Sequence, residues 1–101
     1  MVEFADRAVV PAHVLVRQLD GEAVLLNLET ERYFGLDTMG TRMWELLTVS
    51  QNIDAAYQQL LTEFEVEPQV LRTNLNELVG RLVENGLLQL LPDNVGTTPA
   101  V

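Results

Sequence analysis

His13 is the only imidazole in a chain of 101 residues and the only side chain whose ordinary pKa suits general-base work near neutral pH. It stands where the first apolar run begins, with no carboxylate or hydroxyl at a spacing that suggests a relay. The plain alternative is a partly exposed edge residue. Glu29 and Glu31 flank a turn, and Glu63, Glu65 and Glu67 alternate across a helix end, where solvated charge accounts for both groups. No twelve-residue run has the Asp/Asn/Gly density of a calcium loop. Cysteine and lysine are both absent, which removes disulfides, thiolate chemistry, Schiff bases and the phosphate-loop lysine. One histidine also removes His-pair metal sites. No dinucleotide, Walker-type or G-x-S-x-G string occurs, so no cofactor is called for. These absences close most catalytic routes and leave the catalytic reading weak.

Fifteen acids against six arginines give a net charge of −9. Such a surface repels phosphate backbones, which argues against nucleic-acid binding. No apolar run approaches the roughly 20 residues of a membrane span. The start, MVEFADRAVV, lacks the basic and apolar regions of a secretory signal, so cytoplasmic residence is expected. The length fits one domain. Residues 1–12 read as a lead-in that can join a sheet edge, 13–91 as the domain, and 92–101 as a flexible tail.

From His13 the texture is strand-like. Two apolar, β-branched runs, 13–19 and 22–28, flank Asp20-Gly21, a strong hairpin signal because both central positions of a type I′ turn need φ > 0. Glu29-Thr30-Glu31 interrupts the run and Arg32-Tyr33-Phe34-Gly35-Leu36 resumes it, which predicts a three-stranded antiparallel meander. Asp37 or Thr38 then caps a short helix over 38–47, with Met39, Met43, Trp44 and Leu47 at helical spacing. Ile53, Ala56, Tyr57, Leu60, Leu61 and Phe64 match the amphipathic template of a second helix. Pro68 suits the first turn of a third, whose stripe is Leu71, Leu75, Leu78 and Leu82, widened by Val79 and Val83. Gly86 closes that helix, and Leu87 to Leu91 form a short apolar finish before Pro92. The order is β-β-β-α-α-α, an α+β class in which the helices must cover one face of the sheet.

In such a meander the third strand has one side unpaired. Arg32–Leu36 lacks the lysine or proline that usually blunts an edge, and carries two aromatics and a glycine. Gly35 would let another backbone approach, so an extended peptide could add there as a fourth strand. The competing account makes Tyr33 and Phe34 core residues and Gly35 a bend. On the third helix the flank Val70, Asn74, Glu77 and Arg81 mixes apolar, amide and charged groups. It is either a solvated surface or a wall beside the open strand.

These segments together resemble the PqqD-like family of peptide-recognition elements, over about residues 13–91. The carriers are Val24–Thr30 ahead of Arg32-Tyr33-Phe34-Gly35-Leu36, then Gly40 and Trp44, and finally Leu82 to Leu88. Glu31 departs from the pattern, since relatives often have glycine in that turn. The resemblance implies a winged helix-turn-helix-like domain of three strands followed by three helices. It also implies non-catalytic binding of the leader of a ribosomally made precursor peptide, with no cofactor. The leader would add to Glu31, Arg32, Tyr33, Phe34, Gly35 and Leu36 and lie against Val70, Asn74, Glu77, Leu78 and Arg81. It would then be delivered to a leader peptidase or other modifying enzyme. The stand-alone length and the RYFGL strand favour the lasso-peptide form of the family. The alternatives are a chaperone for a radical-SAM quinone-cofactor pathway and a winged-helix nucleic-acid module. An enzyme acting through His13 and a pairing of two copies through the open strand complete the set, and the expected state is a monomer or weak dimer.

Overall fold

The computed structural model describes residues 2–92. The tail read at 92–101 lies, apart from Pro92, outside the described residues. Eight elements follow in order: β1 (Arg7–Val9), β2 (Val14–Leu19), β3 (Glu22–Asn27), β4 (Arg32–Gly35), α1 (Thr38–Val49), α2 (Ile53–Glu63), α3 (Pro68–Glu84) and β5 (Gln89–Leu91). The fold is α+β: β2, β3 and β4 form the expected antiparallel meander, and three helices follow it.

Local chemistry sets each boundary. Asp20 and Gly21 both have positive φ, 53° and 81°, the pair that a type I′ hairpin demands. The next turn is held by Asn27, a buried side chain whose Oδ1 accepts the N–H groups of Glu29 and Thr30 at 2.9 and 3.2 Å. Its Nδ2 donates to the carbonyl of Asn85 beyond the end of α3 (2.9 Å). Glu31 closes this turn at φ 62°, the conformation that explains why glycine suits the position. Asp37 caps α1 by accepting from Gly40 N–H at 2.7 Å, and Asn52 caps α2 by accepting from Ala55 N–H at 2.8 Å. α1 runs two residues beyond the expected 47, to Val49. α3 opens on Pro68 and ends where Gly86, at φ 70°, turns the chain so that Leu87 N–H donates to Leu82 O.

Two expectations are corrected. The lead-in joins no edge of the meander: β1 pairs antiparallel with β5, Arg7 opposite Leu91, so the apolar finish is also a strand. Phe4 and Ala8 are buried, Phe4 meets Tyr57 edge-on at 5.6 Å, and the Arg72 guanidinium lies 4.0 Å above the Phe4 ring. Val83 is 39% exposed and does not widen the stripe of α3, which buries Leu71, Leu75, Leu78, Val79 and Leu82. The core lies between the inner face of the sheet (Ala23, Leu25) and the helices (Leu47, Ile53, Leu60, Leu75, Leu82). Thr41 bolts α1 to the sheet: its buried hydroxyl accepts from Ala23 N–H (2.8 Å) and donates to Leu36 O (3.4 Å).

Candidate functional site

Register determines which backbone groups of β4 are free. Leu28 N–H donates to His13 O and Leu36 N–H to Ala23 O, both at 2.8 Å. Bonded pairs alternate along an antiparallel ladder. Leu25–Phe34 and Asn27–Arg32 are therefore the bonded pairs between β3 and β4. The N–H and C=O groups of Tyr33 and Gly35 point the other way, off the sheet. Among the described residues these four groups meet no partner strand, and they form an edge of the length that a short peptide needs.

Side chains alternate across the same strand. Phe34 shares the inner face with Leu25, is half-buried and packs against the core. Tyr33 lies on the outer face in line with Leu26 and Leu15, and is 74% exposed. The account of Tyr33 as a core residue is thus overturned, and that of Phe34 holds in part. Gly35 is exposed, and a Cβ there would meet nothing within 4 Å.

Beside this edge runs a groove of about 260 Å³. Gly35, Leu36 and Asp37 form one side, Met39, Gly40 and Met43 of α1 the floor, and Asn74, Leu78 and Arg81 of α3 the far wall. α3 runs antiparallel to β4, since its end meets Asn27 while its middle faces Leu36. The wall thus presents an amide, an apolar side chain and a cation in sequence. The Arg81 guanidinium sits 5.5 Å from the centre of the Phe34 ring. Gly40 keeps the floor low: a Cβ there would approach Asp37 Oδ1 to 3.1 Å and Leu36 Cδ2 to 3.4 Å.

Of the residues singled out in the sequence, Gly35, Leu36, Asn74, Leu78 and Arg81 line this groove, and Phe34 joins it through Arg81. Tyr33 offers its backbone to the edge and its ring to the opposite face. Glu31 belongs to the preceding turn. Arg32 lines a different cleft, with His13, Glu29, Glu84 and Asn85. Glu77 borders a neighbouring depression with Val2, Gly80 and Glu84, and Arg81 lines both this depression and the groove. Val70, 51% exposed, is not among the lining residues. Asp37, Met39, Gly40 and Met43 were missed because Met39 and Met43, four apart after a cap, look like any buried helix face. Flexible methionines also suit a surface that must adapt to a ligand.

His13 is engaged structurally. Its Nε2 donates to Gly86 O at 3.0 Å, and Nδ1 lies 3.7 Å from a Glu29 carboxylate oxygen. Among the described residues, no three His, Asp or Glu side chains gather as a metal site. Among the same residues, no helix is long and apolar enough to cross a membrane.

The family model described as coenzyme PQQ synthesis protein D (PqqD) matches residues 22–88, from β3 through the end of α3. The chain belongs to the PqqD family. Two solved structures are similar. TbiB1 in complex with the TbiA(beta) leader peptide is 29% identical, with a TM-score of 0.72 over 80% of this chain and 94% of that one. Lasso peptide synthetase B1 complexed with the leader peptide is 25% identical, with a TM-score of 0.68 over 82% of this chain and 98% of that one. No curated protein matches the chain. The match to PqqD covers β4, α1 and α3, the three elements that build the groove.

Proposed function

We propose that this PqqD-family chain binds the leader of a ribosomally made precursor peptide as a fourth strand on β4. The observation that carries the reading is the outward row of Tyr33 and Gly35 amides and carbonyls beside a groove walled by α3. Main-chain hydrogen bonds supply affinity, and alternate peptide side chains enter the groove. Two similar structures hold leader peptides, which supports this ligand class.

The role is recognition, with the reaction performed by a partner. Holding the leader raises the effective concentration of the rest of the precursor at an enzyme. The outer face of the sheet offers a surface for such an enzyme: Leu15, Leu26 and Tyr33 form an apolar row across three strands that ends at the open edge. A bound strand extends that row. The neighbour named lasso peptide synthetase B1 supports a lasso-type pathway, for which the family resemblance implies a leader peptidase as the partner. The family description keeps a quinone-cofactor pathway as the second possibility.

The test is calorimetric titration of the leader encoded beside this chain's gene, against wild type, Tyr33→Ala and Tyr33→Pro. The Tyr33 amide bonds to nothing within the sheet, so proline there removes a donor that only an added strand would use. Binding by wild type and loss in Tyr33→Pro beyond that in Tyr33→Ala is expected. Equal binding by all three would sink strand addition.

A further inference from the structure

The six arginines have different surroundings. Arg42 is held by Glu45 and Glu63 at 3.1 and 2.7 Å, and Arg72 lies over Phe4 and Tyr57. Arg81 lies over Phe34 at the groove, 5.5 Å from the ring centre, and among the described residues no carboxylate comes within ion-pair distance of it. Glu77 and Glu84 are one turn away on either side of it, yet neither pairs with it. A guanidinium beside a ring with no carboxylate partner keeps its N–H donors available for a carboxylate. Leu36, Met39 and Leu78 line the groove beside it, while Arg81 itself stays exposed.

Strand geometry says what would meet it. A peptide paired with Tyr33 and Gly35 turns the side chain opposite Phe34 inward, toward Phe34 and Arg81. The inward side chain two residues along lies opposite Leu36, over Met39, Met43 and Leu78. We propose that the groove selects an acidic peptide side chain at the position facing Arg81, two residues from an apolar one that fills the methionine-floored half. This rests on the strand-addition reading and specifies its substrate. The net charge of −9 makes the preference local: acids elsewhere in the peptide are repelled, and only this register position rewards one.

The experiment is selection from a randomised twelve-residue displayed peptide library by wild type, Arg81→Gln, Arg81→Lys and Arg81→Glu. Tyr33→Pro serves as the edge-blocked control, and thermal melts confirm folding of each variant. Peptides captured by wild type and lost on Tyr33→Pro are expected to share Asp or Glu two positions from Leu, Ile, Val or an aromatic. Amide replacement of that acid should weaken binding about ten- to a hundredfold in wild type and have little effect in Arg81→Gln. Arg81→Lys should keep the preference in reduced form, and Arg81→Glu should exchange it for Arg or Lys. Edge-dependent peptides indifferent to charge at that position, or an acidic preference that survives Arg81→Gln, would overturn the inference while leaving strand addition intact. A library without any Tyr33→Pro-sensitive binder would remove both.

Discussion

Three positions separate what the fold requires from what a ligand requires. At Gly86, φ is +70° and a Cβ would lie 2.9 Å from Asn27 Nδ2, against the amide that ties the β3–β4 turn to the end of α3. Gly86→Ala is expected to cost about 1–3 kcal/mol in denaturant unfolding. Glu31 holds a left-handed conformation with a full side chain, so Glu31→Gly should raise stability by about 0.5–1 kcal/mol. Gly35 is the opposite case, because its Cβ site is empty and its φ is not positive. Gly35→Ala should therefore leave the melting temperature unchanged or raise it by the equivalent of about 0.5–1 kcal/mol. Under the strand-addition reading, the bulkier Gly35→Val weakens peptide capture without unfolding the chain. A glycine whose removal helps the fold and harms capture is one kept for a visitor.

Between elements, the α1–α2 contact carries a pH dependence. Arg42 makes two hydrogen bonds to the Glu63 carboxylate, and with Gln59 holds the Glu63 pKa down at about 2. A carboxyl group with a lowered folded-state pKa adds stability above its unfolded value and loses it as pH falls toward the folded one. The melting temperature should drop between about pH 5 and pH 2, less so in Glu63→Gln and less in high salt. Amide exchange probes the edge directly. Tyr33 and Gly35 should exchange quickly in the free protein and slow when peptide binds, whereas Phe34, bonded to Leu25, starts protected. The meander and all three helices were legible because local signals agree with the pattern: Asp20-Gly21, Asp37 and Pro68 mark boundaries, and the apolar period alone carries the second helix. β1 and β5 were not, since each is three residues long and gains its identity only from the other, some eighty positions away. The groove was half legible. Its strand follows from edge chemistry, helical spacing puts Asn74 and Arg81 on one flank of the third helix, and the family resemblance implies that this flank, with Leu78, is a wall. The sorting of Val70 and Glu77 away from it depends on how α3 is rotated over the sheet, and no local pattern encodes that angle.

For the molecule as a whole, an occupied edge should register as stability. A ligand at one hundred times its Kd adds about 2.7 kcal/mol to a two-state domain, so the thermal midpoint should climb by about 10 °C with saturating leader and by nothing in Tyr33→Pro. The β1–β5 ladder has another consequence. It sets Arg7 beside Leu91, so two segments about eighty positions apart supply each other's ladder bonds. Removing residues 2–9 should therefore speed amide exchange at Gln89–Leu91. The two ends of the described chain act as one clasp, and opening either should open both.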